Sequence, residues 1–308
     1  MRATNSAQAM GFGALFLLGF LFLAPAAAAN PEIQHWLTGN GARVYFVPAP
    51  EVPMVDIRVA FDAGSARDGS KPGLAKFTSG MLEEGAGALD ANAIAERFDS
   101  LGAQFSAGSQ RDMAIASLRS LTEPTLLEPA LQTFALLLSQ PSFPKNALER
   151  VRRQMLTGLQ HEEQNPGRIA SRTFYSALYG VHPYGIPPSG TSDSVQAIKR
   201  KDLQDFYRRY YVGRNAVIAI VGAVSRKEAE RLAETAIGGL DEGSAAPPLP
   251  PVPDLTNAEQ QHIDHPSSQT HVLMGQPGVR RGDADYFPLY VGNHILGGSG
   301  LVSRISEE

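Results

Sequence analysis

The order of its secondary-structure patterns constrains the fold of this chain more than any other feature. Segments in which apolar and polar residues alternate predict strands over residues 42–47, 54–61, 104–107 and 113–121. Helical spacing of apolar residues predicts helices over residues 90–101, 124–139, 145–163, 169–178, 202–211 and 227–236. A continuous apolar run predicts one buried strand over residues 217–221, between the last two helices. Strands followed mostly by helices favour an α+β domain with a mostly antiparallel sheet covered by helices.

Proline and small residues set this domain, predicted to span residues 30–242, apart from the rest of the chain. The run GSAAPPLPP begins a stretch over residues 243–256 that predicts a semi-rigid, proline-rich linker, with a long surface loop as the alternative. A second unit over residues 257–308 is then predicted to hold strands at 261–264 and 270–275, a helix at 286–296, a glycine break at 297–300 and a new helix near Leu301. A unit of about fifty residues cannot bury a normal core, so we interpret the chain as a fragment with an incomplete second domain.

Residues 1–29 predict export. Arg2 precedes an apolar run over residues 11–23, and four alanines at 26–29 offer a cleavage site before Asn30. The run is short for a membrane span, but an uncleaved inner-membrane anchor over residues 11–29 is the alternative to a signal peptide. In a bacterium, either interpretation places the body of the protein in the periplasm or at its membrane face.

Composition excludes several function classes. The chain has 308 residues, a net charge of −4 and no cysteine. Disulfides and thiol chemistry are therefore excluded. Without a long basic run, nucleic acid is not a predicted partner.

Residues 72–85, PGLAKFTSGMLEEG, carry the pattern that bears most on function. An apolar stripe at helical spacing predicts a helix that starts near Pro72 and is capped by Gly85; the stripe consists of Leu74, Phe77, Met81 and Leu82. Taken alone, this pattern is that of an ordinary amphipathic helix.

The same segment resembles the active-site helix of the insulinase/pitrilysin (inverzincin) family of zinc metallopeptidases. In that family the two histidines of an inverted H-x-x-E-H motif lie on one helical face and bind zinc. The glutamate between them serves as the base. Here Lys76 stands at the first histidine, Ser79 at the glutamate and Gly80 at the second histidine. The lysine ammonium has no lone pair, glycine has no side chain and serine is a very weak base, so no zinc site is predicted.

Flanking segments extend the resemblance over residues 35–308. They are the strand and glycine turn at 55–68, the turn HPYG at 182–185, the helix and strand at 206–222, and the segment 297–304. The family's third zinc ligand is a glutamate shortly before an acidic-Asn-Pro turn, which appears here as EQNP at 163–166. Counting back places that ligand position at Thr157 or Gly158, and neither binds zinc well. His182 is predicted to be structural.

The resemblance implies a duplicated domain of the LuxS/mitochondrial processing peptidase type, in which paired halves enclose a chamber around a peptide. In several members one chain carries zinc and its partner does not. The chain is therefore expected to be inactive alone and to act as a non-catalytic subunit beside an active, zinc-binding paralogue. It would supply chamber wall and a peptide-binding surface that includes Lys76 and Ser79, with zinc in the partner alone. A substrate-gripping Arg/Tyr pair would lie beyond Glu308. The alternative is a stand-alone peptide-binding or chaperone-like pseudopeptidase.

Overall fold

A computed structural model of the chain describes residues 32–298 and 300–307, so the predicted export signal at 1–29 lies outside the described residues. The strands are β1 Gln34–Leu37, β2 Arg43–Pro48, β3 Met54–Phe61, β4 Gly85–Ala86, β5 Leu89–Asp90, β6 Gln104–Ser109, β7 Ala114–Leu121 and β8 Ala216–Gly222. The helices are α1 Leu74–Gly80, α2 Ala91–Ser100, α3 Pro124–Ser139, α4 Lys145–Gln164, α5 Pro166–Tyr179, α6 Ser192–Ala197, α7 Arg200–Tyr210, α8 Arg226–Ile237, α9 Tyr286–Asn293 and α10 Arg304–Glu307.

Six strands form one sheet in the order β1-β2-β8-β3-β7-β6. Strands β2 and β8 run parallel, and the other neighbouring pairs are antiparallel. Strand β3 shows how the sequence builds a one-sided sheet, because Val55, Ile57 and Val59 are buried on its inner face. The residues between them, such as Arg58, point to the opposite face.

Helices cover the inner face of the sheet. Helices α1 and α2 pack on β6, α3 packs on β7, and α8 packs on β2 and β8. The core between these layers includes the fully buried rings of Phe61, Phe77 and Phe134. This architecture confirms the predicted α+β fold with a mostly antiparallel sheet covered by helices.

The predicted strands at 261–264 and 270–275 are wrong, because residues 251–280 contain no strand. Both segments are exposed along most of their length, and a strand needs a neighbour to satisfy its backbone groups. The helix predicted to continue to residue 296 is α-helical as far as Asn293 and continues as a π-helical turn, His294–Gly298. The helix predicted near Leu301 is a 3-10 turn, Gly300–Val302, followed by the short α10, Arg304–Glu307. None of the helices in the described part of the chain is both long and apolar enough to cross a membrane.

Candidate functional site

Helix α1 is fixed at its N-terminus by a buried carboxylate. Asp68 is 4% exposed and accepts hydrogen bonds from the backbone N–H groups of Gly73 and Ala75, each at 2.7 Å. Burial raises the pKa of Asp68 to about 7, although these backbone hydrogen bonds act in the opposite direction. Asp68 therefore caps the helix from a desolvated position.

Two glycines bring the loop at residues 187–190 against this end of the helix. Gly73 has φ +91°, and a Cβ atom on it would lie 3.0 Å from the carbonyl oxygen of Ser189. Gly190 has φ +77°, and a Cβ atom on it would lie 2.4 Å from the carbonyl oxygen of Pro72. Any larger residue would force the loop away from α1.

The predicted apolar stripe over residues 74–82 is buried, but helix α1 is shorter than predicted. Leu74, Phe77, Met81 and Leu82 are all at most 7% exposed. Helix α1 ends at Gly80, a tighter 3-10 turn follows at Leu82–Glu84, and Gly85 begins β4 instead of capping the helix. Glycine is a poor helix former, which accounts for the early end.

The outer face of α1 is tied to α4 by a chain of hydrogen bonds. The exposed Lys76 donates from Nζ to Ser189 Oγ at 3.0 Å, and Ser189 Oγ donates to Glu162 Oε1 at 3.0 Å. We call Lys76, Ser189 and Glu162 the Lys–Ser–Glu relay. It places a cation and an anion on the outer side of α1. Ser189 lies 113 residues from Lys76 along the chain, so local sequence patterns gave no sign of the relay.

Ser79 and Gly80 are less open than Lys76. Ser79 is 2% exposed, and its hydroxyl donates to the carbonyl oxygen of Lys76 at 3.1 Å. A Cβ atom on Gly80 would lie 3.8 Å from Val151 Cγ1 of α4. Of the two residues predicted to face a substrate or partner, Lys76 is therefore exposed and Ser79 is buried.

Helical geometry separates the two candidates for the third ligand position. Gly158 lies seven residues after Val151 and four before Glu162, so it shares the α4 face that contacts α1 and the relay. Thr157 is rotated by about 100° from Gly158. A Cβ atom on Gly158 would meet nothing within 4 Å. Of the two residues predicted for the third ligand position, Gly158 is therefore the one on the face of α4 towards α1, and the equivalence itself stays a prediction.

These five residues do not fit zinc. Lys76, Ser79, Gly80, Thr157 and Gly158 offer no imidazole, thiolate or carboxylate, the ligands that zinc takes in proteins. Within residues 32–298 and 300–307, no three His, Cys, Asp or Glu side chains are grouped as a metal site requires. The chemistry available here is hydrogen bonding and charge pairing.

An open groove of about 850 Å³ lies beside the relay. Its lining includes Leu159, Glu162 and Glu163 of α4, Arg168, Arg172 and Tyr175 of α5, the loop residue Ser189, and Glu259 and Gln261 from the segment after the proline-rich run. Charges of both signs line it.

His182 is held by backbone groups. It is 4% exposed, its Nδ1 accepts the Tyr184 N–H at 3.1 Å, and its Nε2 lies 3.0 Å from the carbonyl oxygen of Pro250. Nε2 therefore donates to Pro250, which attaches the proline-rich stretch to the first domain. Both ring nitrogens are engaged, in agreement with the predicted structural role.

Strand β6 forms an open edge of the sheet that the sequence analysis did not single out. It is the last strand of the sheet, and within the described residues no strand pairs with its second edge. Its sequence, QFSAGS, has no charged residue and no proline, the usual devices that block an edge from pairing. The lack of charged residues and proline in this segment was the sequence feature that could have revealed the open edge. Helix α1 packs directly on β6.

Two family descriptions match the chain. Insulinase (Peptidase family M16) matches residues 43–192, and the Peptidase M16 inactive domain matches residues 197–308. The second range includes β8, which pairs with β2 and β3 in the sheet described above. The domain and linker boundaries set out from the sequence stay predictions.

Solved and curated relatives agree with this assignment. The crystal structure of a peptidase M16 inactive domain from Pseudomonas fluorescens is 40% identical, with a TM-score of 0.85, and the match covers 90% of this chain and 67% of that one. The uncharacterised zinc protease YmxG of Bacillus subtilis is 25% identical over 90% of this chain and 66% of its own length. Subunit 1 of the mouse mitochondrial cytochrome b-c1 complex is 25% identical over 91% of this chain and 58% of its own length. The chain thus spans less than two thirds of these curated relatives, and it belongs to the M16, or insulinase, family of peptidases.

Proposed function

We propose that this chain is a non-catalytic subunit of an exported M16 zinc peptidase, in which an active paralogue carries the zinc. The observation that carries the proposal is the state of α1. Its capping and buried face are intact, while Lys76, Ser79 and Gly80 cannot bind zinc. A scaffold kept without its metal ligands is suited to binding, and the 40% identical relative described as an M16 inactive domain supports the same view.

The open edge of β6 is the peptide-binding surface in this proposal. An extended peptide can add to an exposed strand through main-chain hydrogen bonds. The edge lies beside α1, so a bound peptide would pass close to the Lys–Ser–Glu relay and to the position that zinc occupies in an active paralogue. This chain would then hold and orient the peptide, and the partner would cleave it.

Assembly with a paralogue draws support from one curated relative. The mouse protein named cytochrome b-c1 complex subunit 1 shares 25% identity and belongs, by its name, to a multi-subunit complex. The family scaffold therefore also occurs as a component of an assembly. A stable interface of this kind buries upwards of about 1,000 Å².

Export is part of the proposal because residues 1–29 carry an apolar run followed by four alanines. The protein would act in the periplasm, and a membrane would be contacted through this segment alone if it stays uncleaved. Mass spectrometry of the exported protein distinguishes a start at Asn30 from a start at Met1.

The deciding experiment is co-expression of the full-length protein with a paralogue from the same genome that has an intact H-x-x-E-H motif. We expect the two to co-elute in size exclusion, and peptide hydrolysis to require both. The matched control is the paralogue with its glutamate changed to glutamine, which should keep the complex and lose hydrolysis. A paralogue that is fully active alone and never co-elutes would reject the subunit role and favour the stand-alone peptide-binding, chaperone-like protein.

A further inference from the structure

The tip of the β6–β7 hairpin is anchored more firmly than an exposed hairpin requires. The tip, residues 110–113, closes with a hydrogen bond from the Gln110 N–H to the Met113 carbonyl oxygen at 2.7 Å. On one side the tip receives backbone hydrogen bonds from Ser65 and Ala66, at 2.9 and 2.8 Å. These residues lie just before Asp68, the cap of α1, so the tip is connected to the start of that helix.

Arg111 anchors the opposite side of the tip. Its guanidinium Nη1 donates to the carbonyl oxygens of Tyr184 and Ile186, at 2.5 and 3.2 Å. Its guanidinium carbon lies 3.9 Å from the ring centroid of Tyr175 in α5. One half-buried side chain therefore makes both polar and stacking contacts with elements far away in sequence, a combination that lysine cannot reproduce.

A second side-chain contact joins the hairpin tip to the turn at residues 182–186. The Tyr184 hydroxyl donates to Asp112 Oδ1. Burial, together with this hydrogen bond, raises the pKa of Tyr184 to about 12, so the hydroxyl keeps its proton at neutral pH. Tyr184 also packs edge-on against His182, which holds Pro250. The hairpin tip, the 182–186 turn and the proline-rich stretch thus meet at one point.

We propose that Arg111 is the positioning residue of the peptide-binding edge, holding β6 at a fixed distance from α1 and the relay. The inference rests on the proposed function for its ligand, an extended peptide. The contacts of Arg111 are made beyond the last residue of β6, Ser109, so they leave the open edge of the strand free. Without them the tip keeps its backbone anchor at residues 65–66 but loses its attachment to α5.

The test compares Arg111→Met and Arg111→Lys with Arg119→Met in the full chain. Arg119 is the matched control because it lies on the adjacent strand β7, is exposed and pairs with Asp56 away from the tip. The probe is a fluorescein-labelled peptide of alternating threonine and valine, and its N-methylated version, which cannot pair with a strand, reports non-specific binding. Peptide affinity, hydrogen exchange of residues 104–109 and melting temperature are measured for each variant.

We expect both Arg111 variants to weaken peptide binding by at least about tenfold and to speed exchange in β6, while Arg119→Met matches wild type. If Arg111→Met does not fold, Asp112→Ala and Tyr184→Phe, which each remove the hydrogen bond between Tyr184 and Asp112, should show the same effects at smaller size. Unchanged exchange and affinity in the Arg111 variants, or equal losses in Arg119→Met, would overturn the inference. If wild type binds no peptide, the peptide role fails, and the exchange data alone decide whether Arg111 positions β6.

Discussion

Replacing Asp68 with asparagine tests how the cap of α1 is built. The carboxylate is 4% exposed, and burial raises its pKa from 3.8 to about 7. A shift of about 3 units corresponds to about 4 kcal/mol of difference between the protonated and ionised forms, since each unit is worth about 1.4 kcal/mol. This is the largest pH-dependent contribution that the residue can make to the free energy of unfolding.

The sign follows from which state holds the proton more tightly. The folded chain keeps Asp68 protonated to a higher pH than the unfolded chain, so this contribution is full below about pH 4 and is lost as the pH rises towards 7. Asparagine is nearly the same shape as the protonated acid and does not titrate. The stability of wild type relative to Asp68→Asn should therefore fall by up to about 4 kcal/mol between pH 4 and pH 8.

Urea unfolding of both proteins at a series of pH values measures this difference. Asp90→Asn is the control, because Asp90 also caps a helix, accepting the Ala93 N–H at 2.9 Å, but is exposed. If the stability difference is the same at every pH, the two 2.7 Å hydrogen bonds offset burial and the pKa of Asp68 is the same in the folded and unfolded chain. If wild type gains stability relative to Asp68→Asn as the pH rises, these hydrogen bonds outweigh burial, and the prediction is wrong.

Three further predictions concern the surroundings of α1. Gly190→Ala should lower the free energy of unfolding by about 2–4 kcal/mol, because Gly190 has a positive φ and lies against Pro72. Gly158→Ala should raise the free energy of unfolding by about 0.5–1 kcal/mol, because Gly158 lies in a helix with open space around it. Denaturant unfolding measures both changes. A double-mutant cycle with Lys76→Met and Glu162→Gln should give a coupling of at most about 1 kcal/mol, because the relay is exposed at Lys76; a larger value would mean that the relay is shielded from solvent. Elemental analysis of the purified chain should find far less than one zinc per chain, and EDTA should leave its melting temperature unchanged; stoichiometric zinc would contradict the reading of the site.

Local patterns predicted the sheet well where alternation is strong. The bounds predicted for β3, residues 54–61, are those of the structure, because four buried residues alternate with four outward-facing ones. Strand β1, with the sequence QHWL, was missed because it is short and has no valine-rich alternation. The segments at 261–264 and 270–275 have strand-like composition, but pairing depends on a neighbouring strand, which local composition does not reveal.

The sequence pointed to candidate residues that lie on one helix, and it missed residues that are joined by tertiary contacts. The resemblance to the family's motif pointed to Lys76, Ser79 and Gly80, and helical spacing predicted the buried stripe behind them. The relay and the Arg111 anchor join residues 27 to 113 positions apart, and no periodicity encodes such pairs. The buried state of Ser79 has the same origin, since the space around it is set by packed neighbours.

Rebuilding a metal site would test the assignment of Gly158. The triple variant Lys76→His, Gly80→His, Gly158→Glu should bind zinc, because all three positions face the space between α1 and α4 and the two glycines have room for a side chain. The matched variant with Thr157→Glu in place of Gly158→Glu should bind far more weakly, since its carboxylate is rotated by about 100° away from that space. Visible absorption on titration with cobalt reports tetrahedral coordination and separates specific from surface binding. Equal affinity in the two variants, or tighter binding with Thr157→Glu, would show that α4 presents a different face to α1 and that the register assigned here is wrong.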